Sequence, residues 1–318
     1  MRDLFYAVSA FLLVGFAGLK LSLIAAQGEA APPKAAPVRV IVGVEPRHQV
    51  EIPTVNREDV MVYEGHDRDQ VTDWTAARGT DAGLEFLVLV DDSSAFSVDS
   101  QLGEIRAFIN EQPPATQIGV GYMHNGMVEM VQSFTQDHAA AAKSLRLPMG
   151  AAAGAASPYL SLIDLTKHWP ANSASLRREI LLISSGIDLY YGAGPEDPYV
   201  HEAVQDLQRA GVVVFSIYAP GGGHLGHSYW RSNWGQNFLS QVSEETGGES
   251  YYFGFGPAVS FAPYLNQLTQ QLQRQYLLSF IPKPQKKAGM QRIRVTTELS
   301  NVDLVAPDAV YVPALPEH

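Results

Sequence analysis

The chain has no cysteine, which removes disulfides and thiol catalysis from its chemistry. Charge is also scarce. Only 17% of the 318 residues are charged, and 22 Lys and Arg against 33 Asp and Glu leave a net charge of -11. A nucleic-acid partner would require a clustered basic face, so that class is excluded. Long apolar runs are absent except for one at the start, from Leu4 to Ala26 with Lys20 as its only charge. Catalytic signatures are missing too. The glycine-rich stretch Pro220-Gly221-Gly222-Gly223-His224-Leu225-Gly226-His227 is followed by no Gly-Lys-Ser/Thr and opens no Gly-x-Gly-x-x-Gly helix. No Gly-x-Ser-x-Gly elbow places a nucleophile, and no His is set by a motif as its base. The expectation is a protein that is not an enzyme.

What is present is enough apolar residue, 46%, to bury one large core and a smaller satellite. Residues 1–26 read as a signal peptide or signal anchor, and residues 27–37, rich in Ala and Pro, as a linker unable to bury apolar area. These features predict an exported chain, periplasmic, secreted or held to a membrane only by its N-terminal segment. Val38 to Val44 and Asp59 to Tyr63 read as strands of an N-terminal β segment, 38–82. From Gly83 strands and helices alternate, which predicts a mostly parallel sheet with helices on both faces over 83–275. The inner strands are Phe86 to Asp91, Gln117 to Met123, Glu179 to Ser184 and Val212 to Tyr218, with Val128 to Phe134 as an antiparallel edge and Glu249 to Phe253 last. Helical patterns cover Ser97 to Asn110, Gln136 to Leu145, Ser157 to Trp169, Pro198 to Ala210, Gln236 to Thr246 and Pro263 to Gln275. A C-terminal β segment, 276–318, contains Tyr276 to Pro282 and a basic, alternating strand from Gln291 to Thr297.

The most informative stretch is Asp91-Asp92-Ser93-Ser94-Ala95, directly after the apolar run Phe86-Leu87-Val88-Leu89-Val90. Open α/β sheets bind ligands at the carboxyl ends of their strands, which is where these oxygens stand. The pattern resembles the Asp-x-Ser-x-Ser of the metal-ion-dependent adhesion site in von Willebrand factor type A domains, with Ala95 in place of the second serine. Asn56 to Gly65 and Tyr276 to Pro282 are similar to the leader and closing segments of the acidobacterial-type von Willebrand factor A-related proteins, so the resemblance covers about residues 38 to 313. It implies a doubly wound, Rossmann-like domain with a small β-layer built from the two terminal segments.

The resemblance also implies a Mg²⁺ site at Asp91, Ser93 and Ser157. Ser185 stands where the family has an aspartate. With Ala95 apolar and Asp91 supplying one formal charge, helped only by Asp92 or Asp188, affinity should be about millimolar or weaker. The alternative for Ser93 and Ser157 is helix capping. His224 and His227 lack a nearby carboxylate set, and their loop, with Tyr229, Trp230 and Trp234, reads as a mobile recognition surface. Tyr190 and Tyr191, just past Asp188, fall on the same rim, either in recognition or in ordinary packing. Two functions follow: a binding module that recognises a protein or cell-envelope component at this rim, or a structural component of an envelope complex with an inert site.

Overall fold

The computed structural model describes residues 35–47, 52–94, 98–150, 157–171, 177–192, 194–221, 228–252, 254, 256 and 258–315, all within one compact unit spanning 34–318. Residues 1–26, expected to be a signal peptide or anchor, and Ala95, His224 and His227 lie outside the described residues.

The chain opens with β1 (Val38–Pro46), β2 (Val60–Glu64) and β3 (Asp67–Ala76). Alternation follows, with β4 (Leu84–Asp91), α1 (Asp99–Asn110), β5 (Thr116–His124), β6 (Met127–Thr135), α2 (His138–Ser144) and α3 (Pro158–Lys167). It continues through β7 (Arg177–Ser184), α4 (Pro198–Ala210), β8 (Val212–Tyr218), α5 (Tyr229–Thr246), β9 (Ser250–Tyr251) and α6 (Ala262–Gln273). The strands β10 (Gln275–Ile281), β11 (Gly289–Arg292), β12 (Arg294–Thr297), β13 (Val302–Val305) and β14 (Ala309–Val312) close it.

Strands β4 to β9 form a six-stranded sheet in the order β6-β5-β4-β7-β8-β9, parallel except for β6, which pairs antiparallel to β5. Every residue of β4 is buried, as expected of a central strand covered on both faces. Phe86, Val88 and Val90 pack on one face with Leu102 and Ile105 of α1 and Leu265 and Leu268 of α6. Leu87 and Leu89 pack on the other with Tyr159 and Leu162 of α3, Val204 of α4 and Leu239 of α5. Chain order reverses at β4, whose neighbours β5 and β7 lead to opposite edges. That reversal opens a crevice at the carboxyl end of the sheet.

The two ends of the chain interleave in a second, antiparallel sheet, β12-β2-β3-β10-β1-β13, beside the two-stranded pair β11-β14. Val40, Val42, Val62, Leu278 and Phe280 share its core. β3, which lies between β2 and β10, has no counterpart among the expected strands. Its sequence, DRDQVTDWTA, lacks apolar alternation, and Asp69 is its only buried residue. Trp74 supplies the packing instead, stacked on Tyr276 at 4.4 Å while its Nε1–H donates to the Val55 carbonyl at 2.9 Å.

Two expectations need correction. The strand expected from Gln291 to Thr297 is two strands, β11 and β12, divided at Ile293; the backbone N–H of Ile293 bonds the Asp308 carbonyl, and the halves pair with β14 and β2 respectively. Helix α5 begins at Tyr229 rather than Gln236, because the Ser228 hydroxyl caps it by accepting from the Arg231 N–H. Tyr229, Trp230 and Trp234 are therefore helical, not part of a mobile loop.

Candidate binding rim at the carboxyl end of the parallel sheet

Asp91 ends β4 fully buried, and three donors hold it there. Its Oδ1 accepts from the Ser93 N–H at 2.9 Å and the Ser93 hydroxyl at 2.7 Å, and its Oδ2 from the Ser184 hydroxyl at 2.7 Å. Burial pushes the Asp91 carboxyl above its ordinary range, and the bonds from Ser93 and Ser184 oppose that shift. Asp92, its neighbour, turns away from the crevice. Both its oxygens take the Arg146 guanidinium, at 2.6 and 2.8 Å, and Oδ1 also accepts from the Met149 N–H. Arg146 is itself fixed over the Tyr122 ring, 3.8 Å from its centroid, and Tyr122 exchanges two hydrogen bonds with the Arg146 backbone.

A second acid-hydroxyl pair stands on the same end. Ser157, the cap of α3, donates to Asp188 Oδ2, and Asp188 Oδ1 accepts from the backbone N–H groups of Tyr190 at 2.6 Å and Tyr191 at 3.0 Å. Asp188 thus ties the aromatic loop after β7 to the start of α3. Tyr159 links the pairs by donating its hydroxyl to the Gly186 carbonyl at 2.6 Å. Gly186 has φ +68°, and a Cβ there would lie 2.3 Å from the Gly235 carbonyl of α5. Only glycine permits that approach. Burial and the charge of Asp188 raise the carboxyl of Asp197, the cap of α4, to about 6.

Ser93 and Ser185 line one cavity of about 10 Å³ with Leu189, Tyr218 and Arg231. Exposed aromatics flank it, with Tyr190 and Tyr191 51% and 58% exposed beside Leu189, and Tyr229 and Trp230 57% and 65% exposed beside Arg231. Trp234 is half-buried.

The oxygens present do not fit a tightly held divalent cation. Asp91 and Asp188 each already accept three hydrogen bonds, Asp92 is committed to Arg146, and the cationic Arg231 shares the cavity with Ser93 and Ser185. The space left is about that of one water. Among the described residues no group of three or more His, Asp or Glu is placed to hold a metal.

Four residues at this end were not anticipated as site residues: Ser184, Arg146, Tyr159 and Asp197. Ser184 could have been found as the last residue of a buried strand next to Ser185. Arg146 could not, because 54 positions separate it from Asp92.

No family model and no curated protein matches the chain. Solved structures do. It is similar to an aerotolerance-related membrane protein from Bacteroides fragilis NCTC 9343, at 13% identity and a TM-score of 0.41 over 60% of this chain and 98% of that one. It is also similar to the SpRpn10 VWA domain, at 12% identity and 0.41 over 59% and 96%. A third is proximal thread matrix protein 1 from the mussel byssus, with a zinc-occupied MIDAS motif, at 15% identity and 0.40 over 60% and 47%. At TM-scores below 0.5 these likenesses carry no argument. The description of the fold stands on its own strand order, with Asp91 at the end of β4 and Ser93 two residues beyond it.

Proposed function

We propose that the chain is an exported, non-enzymatic binding module, a doubly wound A-like domain whose carboxyl-end rim recognises a protein or cell-envelope component without a resident cation. The observation that carries this reading is the set of four large exposed aromatics, Tyr190, Tyr191, Tyr229 and Trp230, in the two segments that supply Leu189 and Arg231 to the crevice lined by Ser93 and Ser185. Exposed aromatics dominate binding hot spots, and truncating one at an interface centre costs about 2 kcal/mol or more. Tyr191→Ala and Trp230→Ala should therefore weaken capture of the partner from native envelope about thirtyfold or more, with thermal stability nearly unchanged. Normal capture by both variants would move recognition away from the rim. Export rests on the apolar N-terminal run and its linker, and cell fractionation tests it; the intact chain in the soluble cytosol would refute it.

A second reading, an assembly component with an inert rim, is favoured by a specific feature: the acids here are all engaged internally. In that case the antiparallel sheet makes the contacts. Both rim variants would then capture the partner normally, while substitutions at the exposed β3 positions Arg68, Gln70 and Asp73 would not.

A further inference from the structure

A concavity lies at the opposite end of the parallel sheet, where β7 and β8 begin, closed over by β1, the last turn of α4 and β14. Its volume is about 370 Å³, within the range of small-molecule sites. Among the described residues four arginines line it, Arg39, Arg177, Arg178 and Arg209, and no Asp or Glu does. In a chain of net charge -11 this concentration of one sign is unexpected.

The four are not equally engaged. Arg177 forms the floor, its side chain 5% exposed, and bonds Glu179 at 3.2 Å, Gln275 and two backbone carbonyls. Its Nε–H is buried with no acceptor among the described residues. Arg178 is held by Glu85 at 3.5 Å and by the Trp169 ring. Arg209 is exposed, reaches Asp206 only at 3.9 Å and lies over the Tyr311 ring at 5.3 Å. Arg39 is exposed and makes no ion pair among the described residues. The cleft thus has two available guanidinium groups, those of Arg39 and Arg209. Val40, Val213, Leu277 and Val310 give it apolar walls. Residues 38–42 of β1 pair only with β10, since β13 pairs from Gly43 onward, so their second backbone edge is open along the cleft.

We propose that this cleft binds a small organic anion with an apolar body, its carboxylate or phosphate group taken by Arg39 and Arg209. Guanidinium forks match the planar oxygens of such head groups. The apolar walls favour a ligand with a hydrocarbon or aromatic body over a bare ion.

Calorimetric titration of the full chain with octanoate and octyl phosphate tests this, against octanol as the uncharged counterpart and inorganic phosphate as the bare head group. At least one of the two amphipathic anions should bind at least tenfold more tightly than octanol and than phosphate, and whichever is tighter names the head group. The double variant Arg39→Gln with Arg209→Gln, both exposed, should keep its circular dichroism spectrum and lose tenfold or more in affinity. Arg57→Gln, an exposed arginine outside the cleft, should bind as the parent does. Equal binding of octanol, equal binding of inorganic phosphate, no binding of either anion, or full affinity in the double variant would each overturn the assignment. The rim variants Tyr191→Ala and Trp230→Ala should leave it untouched, which separates this cleft from the binding reading above.

Discussion

The two ends of the parallel sheet use charge in opposite ways. At the carboxyl end the acids are spent on structure: Asp91 holds Ser93 and Ser184, Asp92 clasps Arg146, and Asp188 fastens the loop after β7 to α3. At the amino end the arginines are only partly spent, with Arg39 and Arg209 exposed and an Nε–H of Arg177 unmet. A charged residue at a strand end is therefore not by its position a ligand. What decides its role is whether the fold has already supplied its counter-charge and its hydrogen bonds.

The sharpest way to break this contrast is at Asp92. Removing one partner of a buried ion pair leaves an uncompensated charge, typically a loss of 3–5 kcal/mol. Because Arg146 is 36% exposed and water reaches it, Arg146→Ala should lie near the lower end, about 3 kcal/mol, in urea denaturation. Adding Asp92→Asn should recover part of that loss, since the pair acts as a unit. A loss under about 1 kcal/mol would mean Asp92 is not structurally committed and is free to serve the rim.

The next effect concerns how closely α5 sits on the loop after β7. A Cβ on Gly235 would meet the Ser185 carbonyl at 2.0 Å, so Gly235→Ala must push the helix away. Overpacking of this kind costs about 1–3 kcal/mol and outweighs the gain of about 1 kcal/mol that alanine brings to a helix. A net loss near 1 kcal/mol by thermal or urea unfolding is expected. A stabilised variant would show that the rim tolerates the displacement.

These particulars mark how much was legible in the sequence. The parallel-sheet strands were visible because strands buried on both faces are written as uninterrupted apolar runs; β8 and α4 fall where the pattern put them. β3 was not visible because tertiary context, through Trp74 on Tyr276, holds a strand with no alternation. The start of α5 is marked in the sequence only by Ser228 as a cap, and the glycines just upstream carry the stronger signal, for a loop. At the site, Asp91 with Ser93 was a local pattern and could be read. The bonds that commit Asp92 to Arg146 and Ser157 to Asp188 span 54 and 31 positions and leave no trace in a single sequence.

Smaller still is the expected response to cations. With the rim's carboxylates already bonded, Mg²⁺ at about millimolar concentration should leave the melting temperature unchanged, because only ligand near or above its Kd stabilises the native state. Ala95→Ser with Ser185→Asp adds a hydroxyl and a charge, and should convert that flat titration into a rising one. A parent chain that rises steeply with Mg²⁺ would show that the bonds to Asp91 and Asp188 yield to a metal.

The last effect is electrostatic and belongs to the carboxyl end. Asp197 has its carboxyl raised from 3.8 to about 6, first by burial and then by Asp188, with the Tyr199 N–H opposing. A carboxyl with a raised folded value binds its proton more tightly native than unfolded, so its protonated form adds stability at low pH. That contribution is fully present below about 3.8 and is lost as pH rises through about 6. Lowering the pH from about 7 to about 5 should therefore stabilise the chain through this residue. The shift of about two units corresponds to about 3 kcal/mol at full burial, and half-exposure to solvent reduces it to about 1 kcal/mol. Asp197→Asn keeps an oxygen to cap α4 while removing the charge, so it should raise stability at pH 7 by that amount and flatten the profile between pH 5 and 7. If the variant instead lost stability at pH 7 and kept the parent's slope, Asp197 would be acting through its cap alone.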